Sequence, residues 1–217
     1  MERSTEAERS RHRLDLVVAL LLGLAALGSA WSAWRSAWWS SVQSIHFVEA
    51  STARTESLRA STRAQALAVA DVGLFVEWIE AISVGNEPLA LFLQERFREE
   101  FLPAFEAWRN LPRDAEVDGR RVPPGSPFEL PEYRPLARLE ADRLLAAAER
   151  AYAKGKYANE VATNYVLTLV VFATVFLLGG ISTKVEALPA RRLLVGLAAA
   201  FLIVGVVAAA LVPSFST

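Results

Sequence analysis

The chain holds two histidines, His12 and His46, and no cysteine, so imidazole and thiolate chemistry have little to draw on. His46 and Glu49 stand three residues apart, a spacing that puts both on one helical face, where they can ligate a metal. A coordination shell needs three or four convergent donors. This pair supplies two, and only a ring of copies would complete the set. Glu77 and Glu80, with Asp71 below them, are paired carboxylates of the kind that general acid/base work requires. That work also needs a pocket that drives the two pKa values apart. On an amphipathic helix, carboxylates ordinarily form a solvated face or pair with a base, and Arg96 or Arg98 of the next helix is the expected partner. The cluster Glu95, Arg96, Arg98, Glu99 and Glu100 reads as a charged face with local pairs. There is no glycine-rich phosphate loop, no serine-nucleophile motif and no dinucleotide fingerprint. We therefore expect no catalytic residue, no cofactor and no metal ligand.

The elements that would position any chemistry are dominated by three uncharged apolar runs, 16–34, 165–181 and 193–212. Each has the roughly 17–20 residues that a helix needs to cross a bilayer core of about 30 Å. A 217-residue chain that is 53% hydrophobic yet 22% charged fits lipid-facing spans joined to a water-facing domain. Its net charge of −1 gives no attraction to nucleic acid. Active transport is disfavoured, because the spans carry no midmembrane charge or broken helix. A channel lined by small, hydroxyl and apolar residues remains compatible. Asp15 sits at the edge of the first span, within reach of Arg11.

Basic residues in short flanks orient the spans. Arg3, Arg9, Arg11 and Arg13 precede the first, and Lys184, Arg191 and Arg192 join the second to the third. The expected layout is a cytoplasmic tail 1–13, span 14–34, an extracytoplasmic domain 35–163, span 164–181, cytoplasmic loop 182–192, span 193–212 and tail 213–217. Arg35, Lys154 and Lys156 fall on the outer side against this trend. The first span resembles a signal peptide ending at Gly28-Ser29-Ala30. Glu2, Glu6 and Glu8 in its basic tail favour retention as an anchor.

No proline precedes Pro88 and no glycine lies between Gly28 and Gly73, which predicts one helix over about 14–82. Trp31, Trp34, Trp38 and Trp39 mark its outer membrane boundary as an interfacial belt. Above them Val48, Ser51, Thr55, Leu58, Thr62, Gln65, Val69, Val72, Val76 and Ile79 recur at three and four, a heptad-like seam. Ser51, Thr55, Thr62 and Gln65 are its candidate seam or pore-lining residues. Val69 to Ile79, with Leu74, Phe75 and Trp78, read as packed core.

A turn at 84–88 leads to a second helix, 88–111, with an aromatic stripe and a kink or break at Pro103. A ligand pocket beside Phe92, Phe97 and Trp78 is a weaker possibility. Residues 110–132, with five prolines, read as an extended surface loop without a core of its own. A third helix begins near 133–135 and enters the second span, ending near Gly179-Gly180. Its stripe shrinks to Gly155, Ala158 and Ala162, which predicts close packing against the Ser/Thr part of the first helix. Asn159, Thr163 and Asn164 place polar groups at the mouth of that span. Thr183 and Glu186 have capping-box spacing, and Pro189 opens the third span.

Several runs, in order along nearly the whole chain, carry a resemblance: Trp31-Ser-Ala-Trp34, 49–56, Glu99-Glu-Phe-Leu-Pro-Ala-Phe-Glu-Ala-Trp108, Ser126-Pro-Phe128 and 164–167. Together they are similar to an uncharacterised family of small bacterial three-span helical membrane proteins with no assigned function. The resemblance implies the bacterial inner membrane and a shared three-span layout, and no substrate or catalytic residue. The expected fold is all-α, with three transmembrane helices and an extramembrane bundle made by extensions of spans one and two plus a shorter helix. The expected partners are the lipid bilayer and further copies of the chain, with a passive channel or vestibule as one form of that assembly. Docking on a larger membrane complex is the alternative, and an extracytoplasmic ligand sensor a weaker one.

Overall fold

The computed structural model describes residues 2–112, 115–117 and 120–212. In chain order these form α1 (Glu2–Ser83), α2 (Glu87–Gln94), α3 (Leu102–Arg109), the strands β1 (Ala115–Val117) and β2 (Arg120–Val122), a single 3-10 turn (Pro127–Glu129), α4 (Leu136–Ser182) and α5 (Leu188–Leu211). The fold is all-helical apart from that short ribbon. Helices α1, α4 and α5 are each long and apolar enough to cross a membrane. Residues 1, 113–114, 118–119 and the expected tail 213–217 lie outside the described residues.

The chain divides into two compact units, 1–48 with 151–217, and 49–150. In the first, α1, α4 and α5 pack through Val18, Leu21, Ala25, Phe172, Val175, Val195, Ala198 and Leu202. The helices approach where one offers a glycine and another a large side chain. A Cβ on Gly28 of α1 would fall 2.5 Å from the Phe172 ring, and one on Gly205 of α5 would fall 2.8 Å from it. Phe172 thus fills a slot whose two walls are glycine. Gly155 receives Phe47, and Ala158 and Ala162 receive Trp39. The small stripe of α4 does pack, in this unit chiefly against aromatic rings of α1, with the Ser36 hydroxyl donating to the Ala162 carbonyl at 3.2 Å. A small side chain makes room for a ring as readily as for a second backbone. Asp15 pairs with Arg191 of α5 and not with Arg11. No capping box forms, because the Thr183 hydroxyl donates back to the Gly180 carbonyl at 2.7 Å and α5 starts from an uncapped Ala187.

The second unit is held by an aromatic core: Phe75 and Trp78 of α1 with Phe97, Phe101, Phe105 and Trp108. Their rings meet mostly edge to face, Trp78 on Phe105 and Phe97 on Phe105 both at 4.9 Å, the arrangement that ring quadrupoles favour. The single helix expected over 88–111 is two helices. Pro103 has no N–H and its ring would clash with the carbonyl four residues earlier. The chain therefore leaves the helix at 95–101, and Pro103 restarts it from the first turn of α3. Asn86 caps α2 by accepting from the Leu89 N–H at 3.2 Å, after a turn in which Gly85 takes φ 74. The proline-rich loop is not free of the core. Phe128 stacks on Phe101 at 5.0 Å, Pro127 is buried, and Trp108 Nε1 donates to the Gly125 carbonyl at 3.3 Å.

Candidate functional site

Three constellations stand out, and the sequence pointed clearly to only one of them, the heptad seam of α1. The buried face of α1 in the second unit is Ala50, Ser57, Ala64, Asp71 and Trp78, with the Ser57 hydroxyl donating to the Ala141 carbonyl of α4 at 2.8 Å. The seam through Ser51, Thr55, Leu58, Thr62, Gln65, Val69, Val72 and Val76 lies exposed instead. Two residues advance a helix by about 200°, so the heptads 48-55-62-69-76 and 50-57-64-71-78 occupy nearly opposite sides. Phe75 and Trp78 are core as expected. Val69 and Val76, at 73% and 56% exposed, are not. The Thr55 and Thr62 hydroxyls each donate to the carbonyl one turn back at 3.0 Å, which leaves their methyls and oxygen lone pairs facing outward. From Gln65 to Val76 the one charged residue is Asp71, which is buried, so this exposed surface is wholly uncharged.

The second constellation surrounds Asp71, which is 1% exposed. Arg98 Nε and Nη2 donate to its two carboxylate oxygens at 2.9 and 2.8 Å, a bidentate fork, and Tyr133 Oη donates to Oδ2 at 3.0 Å. Arg98 Nη1 also donates to Glu100, whose carboxylate accepts the backbone N–H of Leu136 at 3.2 Å and so tethers the start of α4. The hydrogen bond to Asp71 holds the Arg98 guanidinium well above its usual range. Burial, then the bond to Asp71, pushes the Tyr133 phenol up to about 12. Asp71, Arg98 and Glu100 pair with one another. The node is structural. Asp71 thus takes the Arg98 partner expected of this carboxylate group, while Glu77 and Glu80 are exposed.

The third is a cavity of about 470 Å³ in the first unit, walled by Leu27, Trp31 and Arg35 of α1, Tyr165 and Phe172 of α4, and Ala210 of α5. Arg35 is 1% exposed, and its Nε donates to Tyr165 Oη at 3.1 Å. In the sequence Arg35 stands out only as a basic residue on the outer side, against the charge trend. Its position one residue beyond the first apolar run was the available signal.

The remaining expected site residues are dispersed. Trp31, Trp34 and Trp38 are exposed on α1 as a belt requires, with Trp31 and Trp34 rings 5.3 Å apart. Trp39 turns inward, 8% exposed, with its ring edge-on to Tyr157. Asn159, Thr163 and Asn164 are exposed on α4, and Thr163 donates to the Asn159 carbonyl at 2.9 Å. The pocket expected beside Phe92, Phe97 and Trp78 is filled by aromatic rings, and Phe92 lies outside it under the Arg96 guanidinium. His46 is half-buried and Glu49 exposed. Among the described residues no group of three or more His, Cys, Asp or Glu side chains stands close enough to hold a metal. Comparison of the chain with family models, with curated proteins and with solved structures gave no match.

Proposed function

We propose that this chain is a non-enzymatic integral membrane protein whose function is to assemble with further copies of itself. The observation that carries the reading is the exposed, uncharged heptad face of α1, which keeps a seven-residue register from Ser51 to Val76 on the side away from its own core. Its upper part exposes Val69, Val72 and Val76 together, an apolar strip of the kind that marks an interaction surface. A heptad face is self-complementary, and like helices bury it against each other as a coiled coil. Anchoring supports a second copy over a foreign helix. Copies inserted in one membrane share one orientation, and confinement raises their effective concentration. The Ser/Thr half of the face, with its hydroxyl protons committed to the backbone, suits close helix contact or the wall of a water-filled vestibule. The basic flanks support an N-terminus in the cytoplasm and residues 35–163 outside, in a bacterial inner membrane.

Native mass spectrometry of the detergent-solubilised chain tests this. A defined oligomer that Val69→Glu with Val76→Glu reduces to monomer is the expected result. A monomeric wild type ends the self-association reading, and a stoichiometric foreign subunit after mild solubilisation replaces it with an accessory role. Orientation is read with a membrane-impermeant maleimide on intact cells, which should label Glu106→Cys and spare Lys184→Cys.

A further inference from the structure

The exposed seam of α1 consists of two rows, Thr55, Thr62, Val69 and Val76 in one and Ser51, Leu58, Gln65 and Val72 in the other. On a straight helix such rows drift by about 20° per heptad, or about 60° from Thr55 to Val76. They stay in line only against a helix that coils round α1 with them. A flat lipid or globular surface would select a 3.6-residue period instead.

The positions beside the rows restrict the partner further. Ser61 and Ala68 border one side, and Ala66 and Gly73 the other. In a parallel arrangement each residue of the first border meets the one five further on in the neighbouring copy, so Ser61 faces Ala66 and Ala68 faces Gly73. No charge opposes another, and a copy of this chain fits. Lower down the bordering residues are Arg54 and Arg59, two like charges, so the close contact runs from Ser61 upward. A two-stranded coil buries only its two rows and leaves charged borders at the rim. Here the borders are small and uncharged as well, the wider face that helices of a larger bundle bury. Val72 agrees with this. With Val69 and Val76 in the other row, both rows are β-branched, which shifts parallel coils away from two strands. Side-chain length sets the upper limit. The axial space grows with the number of helices, and valine and threonine are too short to fill it among four.

We infer, on the basis of the self-association reading, that the assembly is a parallel, in-register trimer with α1 of each copy at its axis. Gln65 supplies a polar layer there, each amide donating to the next around the ring, and a slip in register would strand these groups. The opposite row, with Ser57 bonded to α4, faces away from the axis.

Native mass spectrometry of the full-length chain in detergent should count three copies. Gln65→Leu with Val72→Leu places leucine opposite a β-branched row and should give dimers. Ala66→Lys, at an exposed position, adds a charge that the rim of a dimer tolerates and the interior of a trimer does not. It should also leave dimers, with the helical circular dichroism unchanged. A monomeric wild type ends the self-association reading itself. A wild-type dimer or tetramer overturns the trimer alone, and so does a trimer that both variants leave intact.

Discussion

Arg98 grips Asp71 through both of its carboxylate oxygens, Nε to Oδ1 at 2.9 Å and Nη2 to Oδ2 at 2.8 Å, across 27 positions of sequence. Tyr133 closes on the same carboxylate from the far side of the proline-rich loop. One buried charge on α1 therefore fastens both the 95–101 turn and the lead-in to α4, two segments with no regular structure of their own. The aromatic core fills space beneath them. The Asp71 node sets where they cross.

Asp71→Ala should destabilise the 49–150 unit by about 2–3 kcal/mol, below the range for a fully buried pair. The reason for the discount is Arg98, whose side chain is 25% exposed and regains water once released. Asp71→Asn keeps acceptors for one arm of the fork and should lose less. Thermal unfolding followed by near-ultraviolet circular dichroism, which reports the packed Phe and Trp rings, ranks the variants.

Tyr133 gives the unit an alkaline limit. Its phenol is raised from the ordinary value near 10 to about 12 by burial and by the bond it donates to Asp71. The neutral form is thus favoured in the folded state. The stabilisation is complete below about pH 10 and is lost as pH climbs through about 12. Tyr133→Phe should be less stable at neutral pH, by about 1 kcal/mol for the lost hydrogen bond, and should lose stability less steeply between pH 10 and 12. Denaturant midpoints at stepped pH, with tyrosinate absorbance read in parallel, would reveal any failure of this pattern.

The absence of native cysteine makes the α1 face directly addressable. Single cysteines at Val69 and Val76 should crosslink between copies under mild oxidation. Arg63→Cys, exposed but off the seam, should remain monomeric on non-reducing gels. Equal crosslinking at all three positions would mean random collision.

Gly28→Ala should weaken the span bundle. In an open helical site the exchange favours the helix by about 1 kcal/mol. Here the new methyl would sit 2.5 Å from the Phe172 ring, which is pinned on its other side by Gly205 and cannot step back. Overpacking of this kind costs about 1–3 kcal/mol, so the net sign is destabilising. Gly23→Ala, on the same span with nothing within 4 Å, is the control and should be neutral or better. Phe172→Leu should rescue the Gly28→Ala protein in a thermal shift assay in detergent.

The three spans and the unbroken course of α1 were legible in the sequence because length, hydropathy and the lack of Gly and Pro are local properties. The seam was legible as a pattern but not as a partner choice. Ala50, Ser57 and Ala64 on one side of α1 are no more apolar than Ser51, Thr55 and Leu58 on the other, so periodicity alone does not say which side faces home. Pro103 announced a break without saying that the helix would already stop at Gln94. The Asp71–Arg98 pair was within reach of the sequence, but the part of Tyr133 in that node and the Arg35 cavity were hidden for a different reason. Each joins residues far apart in the chain, and a lone arginine beside tryptophans looks the same whether it points to water or inward over Tyr165.

The seating of Phe172 between Gly28 and Gly205 bears on biogenesis. Gly28 precedes Phe172 and Gly205 follows it in the chain, so the ring finds both walls of its slot only once α5 has been made. Until then α4 can set Phe172 against Gly28, but the ring's other side stays uncovered. Nascent chains stalled before α5 are accordingly the form in which quality control would meet this protein.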